Sequence, residues 1–219
     1  MSKIIVDTIE STGSTVTIND AVTSTGNIDA GTNAVTAGSV TGLTATSITS
    51  GTLGAGASVT NSSLPDGHIL QVVQTVFTGE FNSTTTGSWV AVTGMSVSIT
   101  PSSTDSKILI MVQSSSGCST STSNVSHTIY RGGTTALYLG DAAGSRIRVG
   151  AGLANPGAWA QANFSLIYLD SPSTTSATTY QLYSQGQNAT WRINCNGEDY
   201  DASNQWRAAS SITVMELKA

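Results

Sequence analysis

Leu64-Pro65-Asp66-Gly67 runs directly into Ile69-Leu70-Gln71-Val72-Val73-Gln74-Thr75-Val76-Phe77, and the fold is read outward from this join. Proline at the second position and glycine at the fourth give the first segment the chemistry of a tight turn. The nine residues that follow, rich in β-branched side chains, read as a strand. Two more such runs come next, from Trp89-Val90-Ala91-Val92 through Met95 to Ile99, and from Lys107 to Val112. No aromatic residue precedes the turn, and every aromatic follows it. The turn therefore divides a thin extension from a compact head.

Composition supports an all-β chain. Ser and Thr make up 66 of 219 residues and charged residues only 10%, well below the usual quarter. Ser and Thr suit turns and pleated surfaces better than long helices, and no window sustains an apolar period of 3.6 residues. The net charge of −5 disfavours nucleic acid and anionic lipid as partners. Arg146 and Arg148 lie two apart, yet a solvated face explains them better than an anion site. Cys118 and Cys195 sit far apart with no histidine at ligand spacing, which argues against structural zinc. No stretch is apolar enough for a secretory leader or a membrane span, so synthesis in the cytoplasm without membrane insertion is expected.

Residues 66–219 are expected to form a β-sandwich, jelly-roll-like head of roughly nine or ten strands. Beyond the three opening runs, a serine-rich loop is expected over 114–126, then a strand from His127 to Arg131. Arg131-Gly132-Gly133-Thr134 is a hairpin signal leading to a strand over 135–139. Further strands fit 145–149, 158–170, 178–184, 189–194 and 206–217. In Phe164-Ser165-Leu166-Ile167-Tyr168-Leu169 the alternation blurs, which suggests a strand buried on both sides.

Residues 16–65 are low in complexity. Isolated aliphatics (Val16, Ile18, Val22, Ile28, Val35, Val40, Leu43, Ile48, Leu53, Val59 and Leu64) recur in an imperfect repeat, most gaps being five to seven residues, with glycines between them. One large aliphatic contributes roughly 1.5–3 kcal/mol when buried, whereas ordering each residue costs about 1–2 kcal/mol in backbone entropy. A single copy cannot balance that. Either the segment is a Ser/Thr/Gly linker, or several copies wind together. A homotrimeric β-fibre stalk fits the regular aliphatics, the absence of proline before residue 65 and the scarcity of charge. Within residues 1–15, Ile4, Ile5, Val6 and Ile9 form a short strand-like run that is a candidate attachment segment.

The motifs resemble tail fibres and related virion appendages of tailed bacteriophages. Met1-Ser2-Lys3-Ile4-Ile5-Val6-Asp7-Thr8-Ile9 is similar to their N-terminal attachment segments. Gly94 to Ser103 with Ser106 to Ile110, Gly140 to Arg146, and Ser210 to Leu217 are similar to segments of their C-terminal heads. The resemblance implies a homotrimer joined through its N-terminus to another virion structural protein, located on the tail or capsid. It implies no enzyme.

No catalytic constellation stands out. Gly150-Ala151-Gly152-Leu153-Ala154-Asn155 lacks the last glycine of a dinucleotide loop, and neither His68 nor His127 has a partner motif. The acids Glu198, Asp199 and Asp201 share a glycine-containing loop, a composition that suits Ca²⁺. Their spacing departs from the EF-hand pattern, however, and solvated turn acids are commoner. Trp159, Trp191, Tyr200 and Trp206 carry the stronger signal. Flat aromatic faces beside Asn196 and Asp199 suit sugar rings, whose apolar faces stack and whose rims hydrogen-bond; packing within the core is the competing role. The expected function is adhesion to a host-surface glycan or protein, the alternative a purely structural collar, connector or capsid-decoration subunit.

Overall fold

The computed structural model describes Asn61, residues 64–154 and residues 157–219, which fall in the compact unit Ala57–Ala219. The attachment residues Ile4, Ile5, Val6 and Ile9, and almost all of the expected stalk, lie outside the described residues.

The described chain is all-β. Its strands are β1 (Ile69–Phe77), β2 (Phe81–Ser83), β3 (Val90–Ile99), β4 (Lys107–Cys118), β5 (Asn124–Arg131), β6 (Thr135–Leu137), β7 (Ala151–Ala154), β8 (Ala162–Asp170), β9 (Thr178–Gly186), β10 (Trp191–Ile193) and β11 (Ser210–Leu217). They form two antiparallel sheets. In the first, β1 pairs with β11, β11 with β4, and β4 with β8. The short strands β2 and β10 pair with each other, and β10 continues along β4 beyond β11. The second sheet runs β3-β9-β5, with β6 and β7 both on β5. Among the described residues no helix is long and apolar enough to cross a membrane.

Period-two alternation decides which side chains meet. Along β11, Ile212 and Val214 point inward and are fully buried, and along β4 the same holds for Ile108, Ile110 and Val112. Facing them from the second sheet are Val97, Ile99, Ile129, Tyr180 and Leu182, and the two sets make one continuous core. The hairpin signal at Gly132-Gly133 is realised: both glycines have positive φ, and Thr134 N–H donates to the Arg131 carbonyl. That is the turn whose twist matches the flanking strands.

The structure corrects several sequence expectations. Ser114, Ser115 and Ser116 are not loop residues; they continue β4 and are buried. Ser114 accepts from Ser210, Ser115 from Gln161, and Ser116 pairs with His127. Residues 145–149 form no strand, and residues 141–148 are exposed. The strand expected over 206–217 begins only at Ser210, and β2 and β7 were missed.

Candidate functional site

Residues 194–209, linking β10 to β11, build the most distinctive surface of the head. Both ends of this segment are fixed through Asn194, which is buried and takes a φ of 70°, a conformation asparagine tolerates better than most residues. Its Nδ2 donates to the carbonyls of Phe77 at 2.9 Å and Gly79 at 2.8 Å. Its Oδ1 accepts from Ser210. Its backbone N–H donates to Ser115 and its carbonyl accepts from Ala208. One side chain thus ties the β1–β2 bend to the start of β11.

The next turn is shaped by Asn196. Its Oδ1 accepts from the backbone N–H groups of Glu198 at 3.2 Å and Asp199 at 2.8 Å, while its Nδ2 donates to Gln205. At 4% exposure it organises the loop and is not a free amide for a ligand, as the sequence suggested. Gly197 sits against β4 so closely that a Cβ would overlap the Cys118 carbonyl.

On this frame the loop presents Tyr200 and Trp206, 54% and 62% exposed. Trp159, 56% exposed, comes from the segment before β8 and meets Tyr200 at a ring-centroid distance of 5.1 Å and a tilt of 41°. Large rings are normally covered, so three uncovered ones on this side of the head are informative. Tyr200 and Trp206 line a cleft of about 240 Å³ together with Asn196, Asp199, Asp201, Gln205 and Arg207.

Trp191, the fourth aromatic expected at a ligand surface, is instead wholly buried. It is a β10 core residue, packed 5.5 Å from Phe81 and against Gly186, and its indole N–H donates to the Thr85 carbonyl at 3.1 Å.

A chain of charges braces the cleft from below. Glu80 bonds Arg192 at 2.8 Å and Arg207 at 3.2 Å, and Arg207 also bonds Asp199 at 2.8 Å. Burial alone would raise the Glu80 carboxyl, but hydrogen bonds from Asn82, Arg192 and Arg207 hold it below its ordinary value. Asp199 is pushed above the usual carboxylate range by burial and by Glu80 beside it. Sequence reading missed Glu80 and both arginines, because Glu80 lies 112 residues from Arg192 and 127 from Arg207. Only the folded sheet brings them together.

The loop acids do not converge as a Ca²⁺ site. Among the described residues, the group that approaches metal-ligand spacing is Glu80, Cys195 and Asp199, within 4.8 Å of one another; Glu198 and Asp201 are not in it. Burial and the two neighbouring carboxylates push the Cys195 thiol up to about 12, so it stays protonated. Both carboxylates are already paired with arginine. An ion would have to compete with three guanidinium contacts.

No protein-family model and no curated protein matches the chain. The chemistry of the cleft is that of exposed aromatic ring faces beside a polar rim.

Proposed function

We propose that this chain is a tailed-bacteriophage fibre: a homotrimer, made in the host cytoplasm and built into the virion, that adheres to a host-surface glycan. On this reading residues 1–15 join another virion structural protein, residues 16–65 form the intertwined stalk, and residues 66–219 are a jelly-roll head. The strand orders β1-β11-β4-β8 and β3-β9-β5 with β6 and β7 support the jelly roll, an architecture shared by capsid and lectin domains. The observation that carries the adhesive reading is the exposed pair Tyr200 and Trp206 lining a cleft rimmed by Asp199, Asp201, Gln205 and Arg207, with exposed Trp159 packed on Tyr200. Sugars use such surfaces by stacking an apolar face on a ring while hydroxyls bond to the rim. No residue of the cleft is assigned a catalytic role.

The test is a glycan array and a cell-binding assay with the full-length chain, repeated with Trp206→Ala and Tyr200→Ala. Both rings are more than half exposed, so these variants are expected to fold normally and to lose binding at least about tenfold, the scale of one stacked ring. Absence of binding by the parent chain to every glycan and host surface would reject adhesion and favour the structural collar or decoration subunit.

A further inference from the structure

The outer face of the first sheet carries an apolar patch that spans four strands. The register sets Val72 beside Met215, Met215 beside Leu109, and Leu109 beside Leu169, and one row on it sets Thr213, Met111 and Ile167 in line. These side chains point away from the core, since their strand neighbours Val73, Val214, Ile110, Leu166 and Tyr168 face it. Val72, Ile167 and Leu169 are each about half exposed, as is Val76 further along β1. An antiparallel sheet with one face in water ordinarily alternates apolar with polar residues. Here the row Val72, Met215, Leu109 and Leu169 is apolar across four strands, with Met111 and Ile167 beside it, while Gln74, Thr213 and the row Ser211, Gln113 and Ser165 are polar. β8 is thus apolar on both faces at Leu166 to Leu169 but half exposed on the outer one, not buried on both sides as its blurred alternation suggested.

We infer that this face is an interface between copies of this chain, covered in solution by a second copy. Two observations select that occupant. The first is area. The uncovered apolar side chains form one patch across four strands, with Val72, Ile167 and Leu169 each about half exposed, on the scale of the few hundred Å² that marks an interaction surface. That matches the apolar share of the roughly 800 Å² per partner in a standard interface. The second is charge. The three rows Val72–Leu169, Gln74–Ile167 and Val76–Ser165 contain no ionised side chain, and Lys107 stands only at the end of the face. A surface without charge meets its own copy with no like-charge repulsion, and it offers nothing to steer a charged foreign partner. The inference rests on the self-association in the fibre reading and not on its glycan.

The test uses the full-length chain with Ile167→Cys, and separately Leu169→Cys. Light scattering gives the mass, and the rate of maleimide labelling gives the exposure of the new thiol. Cys118 and Cys195 are both buried and contribute a constant background, and Thr175→Cys on an exposed loop is the reference thiol. The inference expects a mass that is a multiple of the 22.4 kDa chain and labelling at least about tenfold slower than the reference. It also expects Val72→Glu combined with Ile167→Glu to bring labelling at Leu169→Cys to the reference rate. A multiple mass with labelling as fast as the reference means the copies are held elsewhere, and it overturns the inference while leaving the trimeric fibre standing. A monomer mass with fast labelling overturns both. A monomer mass with slow labelling means residues of the same chain cover the face, and overturns the inference too.

Discussion

Acid should weaken this fold from about pH 6.5 downward, and His127 is the cause. The imidazole is wholly buried, sandwiched between Ser116 Oγ at 3.1 Å and Ser184 Oγ at 2.8 Å, and stacked on Phe164 at 3.7 Å. No carboxylate bonds it, so burial drives its pKa from 6.5 down to about 3. In the unfolded chain the ring accepts a proton near pH 6.5, whereas the folded protein refuses one until about pH 3. Between those values the unfolded state binds more protons, so stability falls as pH falls. The slope is about 1.4 kcal/mol per pH unit, which gives a loss of roughly 2 kcal/mol by pH 5. Urea unfolding of the intact chain at one protein concentration, in steps from pH 7.5 to pH 5, measures it. His127→Gln keeps a hydrogen-bonding side chain but cannot titrate. Whatever its baseline stability, its unfolding should lack this contribution to the slope. Parallel slopes for parent and variant would refute the reasoning, as would an NMR titration showing His127 protonated at pH 5 in the folded protein.

Gly197→Ala places a methyl on the Cys118 carbonyl, where backbone must shift; a loss of about 3 kcal/mol or more is expected in thermal or urea melts, with weakened glycan binding because the cleft loop moves. Glu216 is buried with no cation paired to it among the described residues, and burial would raise its carboxyl. The hydroxyls of Ser106 and Ser102, the Ser102 N–H and Gln71 Nε2 nevertheless hold it below its ordinary value. Its contribution is therefore present above pH 4.5 and lost as pH falls through the folded-state value. Glu216→Gln should cost about 1–3 kcal/mol at pH 7 and flatten the acid limb of stability below pH 4.5, as followed by circular dichroism.

The sheets were legible where aliphatic and β-branched side chains run densely. Ile212-Thr213-Val214-Met215-Glu216-Leu217 and the run from Lys107 to Val112 are rich in them, and both became strands that pair with each other. Legibility failed where burial is achieved by small hydroxyls. Ser114 to Ser116 looked like loop because serine carries no apolar signal, yet each hydroxyl meets a partner from β11, the segment before β8, or β5. Residues 145–149 failed in the opposite sense, with a strand-like composition but no neighbouring strand to pair with. The four aromatics could not be sorted by sequence alone. Trp191 stands on β10 opposite Ser83 and Cys118, in the middle of a sheet, whereas Trp159, Tyr200 and Trp206 occupy connecting segments. Asn196 was recognised as part of the site, but its role in closing the turn requires the loop geometry.

The cleft and the apolar sheet face bear on each other through affinity. A cleft of about 240 Å³ with exposed walls can cover one or two sugar units and leaves much of each ring in water. Such a ligand has few atoms buried, and a single site is held to weak binding, on the order of millimolar. Pre-organisation by Asn194 and Asn196 spares the loop-ordering cost but does not enlarge the contact. Useful adhesion then needs several sites on one body, and linked sites gain about 10²–10⁴ in avidity without any new contact, provided their spacing suits the surface. An apolar face that joins copies of the head would fix that spacing, because packed sheets hold orientation in a way a flexible linker does not. Charge on that face, as in Val72→Glu with Ile167→Glu, should therefore reduce binding to a glycan-coated surface far more than binding to the free sugar, even though neither residue lines the cleft.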